Sequence, residues 1–109
     1  MMFEDAVKGF MKALVKNLSL QIQFWICMPL ALAAVLFGVF DAVPTLICIG
    51  MVLTAECLNS SIEQLASFVH PQHNEVIGDI KDMAAGSVLV SVGVSVAVAI
   101  IMLVNWLSI

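Results

Sequence analysis

Two glutamates, Glu56 and Glu63, interrupt a segment, about 42–68, that is otherwise apolar enough for a lipid bilayer. An ionised carboxylate in hydrocarbon costs about 3 kcal/mol or more, so its presence needs a reason. The two stand seven residues apart, with Asn59 three after the first and four before the second. Seven residues are close to two helical turns, so the three side chains share one stripe, with the carboxylates about 10.5 Å apart along the axis. A helix entering at Ala42 carries Glu56 to a depth of about 21 Å and Glu63 to about 31 Å. Against a hydrocarbon core of about 30 Å, the first lies in the far leaflet and the second at the water boundary. One carboxylate then meets a lipid head group, and the other meets a soluble, charged metabolite. That geometry suits chemistry between a lipid and a donor from the aqueous phase. It also suits two other roles, a polar clamp between helices and a proton or ion relay.

Other candidates have plainer readings. Lys81-Asp82 directly precedes an uncharged run, residues 83–109, and reads on its own as a snorkelling interfacial pair or a helix start. His70 and His73 are three apart with Pro71 between them, which suits a solvated loop better than a zinc pair. Ser87, Ser91 and Ser95 recur every four residues near Gly86 and Gly93, a small-residue stripe suited to close helix packing. Cys27, Cys48 and Cys57 all lie in apolar stretches without paired spacing, so they read as thiols rather than a disulfide framework.

The elements that must carry these residues follow from composition. Hydrophobic residues are 62% of the 109 and charged residues 11%, with mean hydropathy +1.12. A soluble globule of this size could not bury that much apolar surface, so the chain reads as an all-α integral membrane protein. With four Lys and no Arg in a net charge of −4, it offers no surface for nucleic acid. Spans are expected at about 20–40, 42–68 and 83–107, with a tight turn at Asp41 between the first two and a polar connection over about 69–82. Trp25 and Trp106 read as interfacial anchors, and Pro29 as a kink or local break. Residues 3–17 form an amphipathic prelude. Lys8, Lys12 and Lys16 line one face, and Val7, Phe10, Leu14 and Leu18 another, as in a helix lying in the membrane interface. All four lysines fall in this prelude or the 69–82 connection, which the positive-inside rule makes cytoplasmic. Acids in the prelude and the apolar run beyond Ala31-Leu32-Ala33 argue against a cleaved leader.

Glu56-Cys57-Leu58-Asn59-Ser60-Ser61-Ile62-Glu63 resembles the E-x-x-N-[ST]-[AS]-I-E signature of the prokaryotic diacylglycerol kinase family, which includes undecaprenol kinases. Eighteen residues after Glu63, Lys81-Asp82-Met83-Ala84-Ala85 resembles that family's K-D-[MV]-x-[AS] segment. Lys8-Gly9, followed by Ala13, is similar to the start of its surface helix. The likeness covers nearly the whole chain. It implies a single membrane kinase domain over 1–109, a homotrimer with active sites shared between chains, and a multi-pass place in the bacterial inner membrane with the N-terminus cytoplasmic. The implied activity is ATP-dependent phosphorylation of a lipid hydroxyl. On that pattern Glu56 is the general base and Glu63 a ligand of the magnesium that bridges ATP phosphates. Asn59 positions nucleotide or base, Lys81 and Asp82 bind nucleotide, and Gln72, His73 and Asn74 fall where the family contacts ATP.

Three positions depart from the pattern. Asn17 stands where the family has a second metal-binding Glu, so it offers the ion and nucleotide a carbonyl oxygen without charge. Ser67 replaces an Asp four residues after Glu63, and Asp79 replaces a basic residue two before Lys81. These departures keep a degenerate, inactive homologue in play. Asn59-Ser60 and Asp82-Met83 lean toward diacylglycerol over undecaprenol. The rival from a different class, a small ion-coupled transporter subunit using Glu56, gives no role to Lys81-Asp82.

Overall fold

The computed structural model describes residues 2–108; the two ends of the expected 1–109 domain lie outside the described residues. Within them the chain is helical and without strands, in the order α1 (Met2–Lys16), α2 (Leu18–Ile22), a π-helical segment (Gln23–Cys27), α3 (Met28–Leu36), α4 (Ala42–Val69) and α5 (Glu75–Leu107). α1 has the expected two-faced character, with Glu4 and Asp5 in its first turn and Lys16 in its last, matching the helix dipole at both ends.

The prelude ends one residue earlier than expected, because Asn17 leaves the helix. Its Oδ1 accepts from the backbone N–H of Leu20 at 3.3 Å, which caps the next helix. Gln21 Nε2 donates back to the carbonyl of Val15 at 2.7 Å and fastens the corner. The helical run 20–36 leaves α1 at 103°, so α1 lies across the axis of the helices that follow. Phe10 of α1 meets Phe24 edge-on at 6.0 Å, and Phe24 meets Trp25 at 5.1 Å, tying the crosswise helix to the π segment.

The first expected span, 20–40, is helical only to Leu36 and is interrupted from Gln23 to Cys27. The cause of the interruption is local. Pro29 stands at the start of α3 and has no N–H to give the preceding turn, so the turn before it widens to i→i+5 bonds. Residues 37–41 belong to a Schellman turn rather than to the span. Gly38 adopts φ +79°, Gly38 N–H bonds the carbonyl of Val35, and Val39 N–H bonds that of Ala34. Pro44 falls in the first turn of α4, where a missing N–H costs nothing.

α4 matches its expected span to within one residue. α5 does not: it begins at Glu75, eight residues before the expected 83, and the connection shrinks to residues 70–74. Charge keeps residues 75–82 out of hydrocarbon but does not keep them out of a helix. Asn74 caps α5, its Oδ1 accepting from the N–H groups of Val76 and Ile77 at 2.9 and 3.3 Å. At the other side of the loop, His70 takes φ −145°, ψ 85°, the extended geometry forced by the following Pro71.

α4 and α5 have the length and apolarity to cross a membrane; the 20–36 run reaches that standard only when joined to α1 across the bend. The α4–α5 pair forms the largest interface, and apart from Glu56 the buried residues of these two helices are small: Thr45, Ala55, Ser60 and Ala66 on α4, Ala84 and Ser91 on α5. Small side chains let the backbones approach. Ser91 thus packs as its spacing implies, while Ser87 turns its hydroxyl back to the carbonyl of Ala84. The large apolar side chains of both helices face outward instead, as a lipid-embedded bundle requires.

Candidate active site

The uninterrupted helix α4 holds Glu56, Asn59 and Glu63 on one stripe, as the spacing requires. Burial separates the two carboxylates. Glu56 is 5% exposed, whereas Glu63, two turns nearer the α4–α5 loop, is exposed. Glu56 is not alone: Gln23 Nε2 donates to its Oε1 at 2.8 Å. Gln23 is the first residue of the π segment, so the irregular turn of the first helix presents an amide to the buried acid of the second.

Asn59 lies between the carboxylates with its Oδ1 buried and, among the described residues, unpartnered. An orphaned buried acceptor costs stability, so the stripe has unused hydrogen-bonding capacity at its centre. Ser60, beside it, accepts from Gln64 Nε2 at 3.4 Å.

Lys81 reaches across from α5, its Nζ donating to Ser67 Oγ at 3.0 Å. Ser67 is one turn beyond Glu63 on α4, so the ammonium stands next to the exposed end of the carboxylate stripe. Lys81 and Asp82 lie within α5, not in a loop. Asp82 is exposed, and so are Gln72 and His73. The carbonyl of Gln72 pairs with His70 Nδ1 at 2.9 Å, and the Oδ1 of Asn74 is occupied by its cap. Asn17 is six residues before Gln23 and Glu63 seven after Glu56. These offsets rise about 9 and about 10.5 Å along two antiparallel helices, which brings Asn17 and Glu63 to similar heights.

One turn along α4 from Glu56, at Val52 and Leu53, begins a crevice of about 370 Å³, with Gln23 at one end and Phe40 and Met102 at the other. Its walls are otherwise almost wholly apolar, drawn from α3, α4 and α5. Between Val92 and Met102 it runs about 15 Å along α5. Gln23 therefore joins the buried acid to an apolar slot, while Glu63 and Lys81 lie toward the loop end of the stripe.

The cysteines are free. Among the described residues no three His, Cys, Asp or Glu side chains converge as a preformed metal cage. Gln23 is the functional candidate that charge and spacing do not reveal. A neutral amide at the start of an apolar run carries no desolvation alarm, and its partner is 33 residues away. The available hint was two glutamines, Gln21 and Gln23, where a span should already be apolar.

The family model described as prokaryotic diacylglycerol kinase matches residues 4–103. The chain belongs to the prokaryotic diacylglycerol kinase family. Neither the comparison with curated proteins nor that with solved structures gives a match. Prokaryotic diacylglycerol kinases are lipid kinases that use ATP with a divalent metal, and the residues present fit that co-substrate in kind. Magnesium is held by one or two carboxylates with substrate phosphates and water completing its shell, so it needs no all-protein cage. Glu63 supplies an exposed carboxylate and Lys81 a nearby cation. Asn17 Oδ1 is a carbonyl oxygen already engaged by Leu20 N–H.

Proposed function

We propose that the chain is a diacylglycerol kinase, transferring the γ-phosphoryl group of ATP to the free hydroxyl of diacylglycerol to give phosphatidic acid. The observation that carries this reading is the hydrogen bond from Gln23 to Glu56, which ties a buried carboxylate to a residue lining an apolar crevice, on the same α4 stripe as the exposed Glu63. The acyl chains occupy the crevice and the glycerol hydroxyl meets Glu56. Glu56 takes the hydroxyl proton as the alkoxide oxygen bonds to the γ-phosphorus, and the bond to the β-phosphate oxygen breaks to release ADP. Lys81 balances phosphate charge from the open side, as phosphoryl transfer demands. Asp82, Asn59 and the Gln72-His73-Asn74 connection border the nucleotide. Glu63, with Asn17 at similar height, would hold a magnesium ion, which would draw charge from the phosphates when bound.

In this reading the first helix completes a three-span topology after the surface helix, the N-terminus and the 70–74 loop are cytoplasmic, and the protein resides in the bacterial inner membrane as a homotrimer. The lysines at the N-terminal and loop ends support that orientation. The outward apolar faces of α4 and α5 support further copies or lipid around them.

The deciding experiment is transfer of label from [γ-³²P]ATP in mixed micelles with magnesium. Labelled phosphatidic acid from diacylglycerol is the expected product. Label on undecaprenol alone would reassign the substrate. No label on either lipid, with intact trimers, would make the chain a degenerate homologue, for which Asn17 and Ser67 are the first residues to restore to Glu and Asp.

A further inference from the structure

We infer that Gln23 is a positioning residue for Glu56, and that the π segment exists to deliver it. The inference rests on Glu56 acting as base, as proposed above.

The geometry is specific. An ionised carboxylate only accepts hydrogen bonds, so the atom facing Glu56 Oε1 at 2.8 Å is the N–H end of the amide. The bond is charge-assisted and secluded from water, the setting in which such bonds are strongest. It fixes one carboxylate oxygen and leaves the other for the substrate proton. A glutamate side chain has three rotatable bonds, so without a tether its proton-accepting oxygen wanders. Misplacement of about 1 Å costs a reaction of this kind about a hundredfold.

Two further observations separate positioning from a plain helix clamp. The other half of the same amide, Gln23 Oε1, is buried and has no partner among the described residues. A clamp serving only stability would satisfy both ends, whereas this amide leaves one acceptor open beside the base. Gln23 is also the first residue of the only π segment among the described residues. A π turn shifts side-chain direction relative to an α turn, and Pro29 five residues after Trp25's neighbour Phe24 enforces it. Phe24, wedged between Phe10 and Trp25, keeps the segment from sliding.

The test is steady-state kinetics of Gln23→Leu, Gln23→His and Glu56→Gln, alone and as the double variant Gln23→Leu/Glu56→Gln, with trimer recovery checked for each. Gln23→Leu is expected to lower kcat about 10- to 100-fold while the KM values for lipid and ATP stay within about threefold. Gln23→His keeps an N–H donor and is expected to regain part of the lost kcat. In the Glu56→Gln background, Gln23→Leu should cost nothing further, because its effect passes through Glu56. A Gln23→Leu enzyme with unchanged kcat, or one that loses only lipid affinity, overturns the inference while Glu56→Gln still reports on the base. Unchanged turnover in Glu56→Gln overturns the base assignment itself. Should Gln23→Leu not assemble, Gln23→His and Gln23→Asn carry the same comparison.

Discussion

Lys81 donates to Ser67 Oγ and so is held at the open end of the stripe by a neutral partner. A hydroxyl orients an ammonium without cancelling its charge, which keeps the cation available to phosphate. Under the proposed mechanism Lys81→Met raises the KM for ATP by about 10- to 100-fold, the equivalent of one charge-assisted hydrogen bond. Ser67→Ala removes only an exposed neutral contact and changes that KM by less than about threefold. Equal effects from the two substitutions would show that the hydroxyl, not the ammonium, matters. At this scale the α4 stripe was legible because helical periodicity alone brings Glu56, Asn59 and Glu63 together. Gln23 and the Lys81–Ser67 contact were not legible, since each joins residues from different helices and depends on how those helices pack.

Helices begin and end where hydrogen bonds and dihedral angles allow, while spans begin and end where charge allows, and the two limits differ here. α4 obeys both, so its bounds were readable. α5 outruns the apolar limit because Asn74 offers its N–H groups a cap and Glu75 suits the positive helix end. The first helix falls short of its limit because Gly38 takes the left-handed conformation that closes the Schellman turn. Among the described residues no atom crowds a Cβ at Gly38, so the cost of Gly38→Ala is conformational, about 1–2 kcal/mol. That loss should register as a lower midpoint in denaturing-micelle titrations with kinase turnover unaltered, the turn being at the end of the bundle away from Glu63. A drop in turnover without a drop in midpoint would mean that the turn touches the chemistry. The π segment was only half visible: Pro29 announces a break, but nothing in the residues says the break widens a turn instead of bending the helix.

For the whole molecule, much of the outward apolar surface of the helices is left uncovered. The family resemblance implies a trimer whose sites draw residues from neighbouring chains, and that arrangement makes a direct prediction. Glu56→Gln and Lys81→Met chains, unfolded, mixed and refolded together and assayed at ATP well below the raised KM, should exceed the activity of either parent, because some mixed sites draw a sound residue from each. Mixtures no more active than their parents would confine each site to one chain. The right-angled corner at Asn17 carries a last consequence. In the proposed topology α1 lies along the water boundary, so the distance from that boundary to Gln23 and Glu56 would be set by a short stretch of the first helix and not by the full thickness of the bilayer. Lipids with longer or shorter tails then stretch or compress the far half of the bundle, while the acid keeps its depth beneath the head groups it serves.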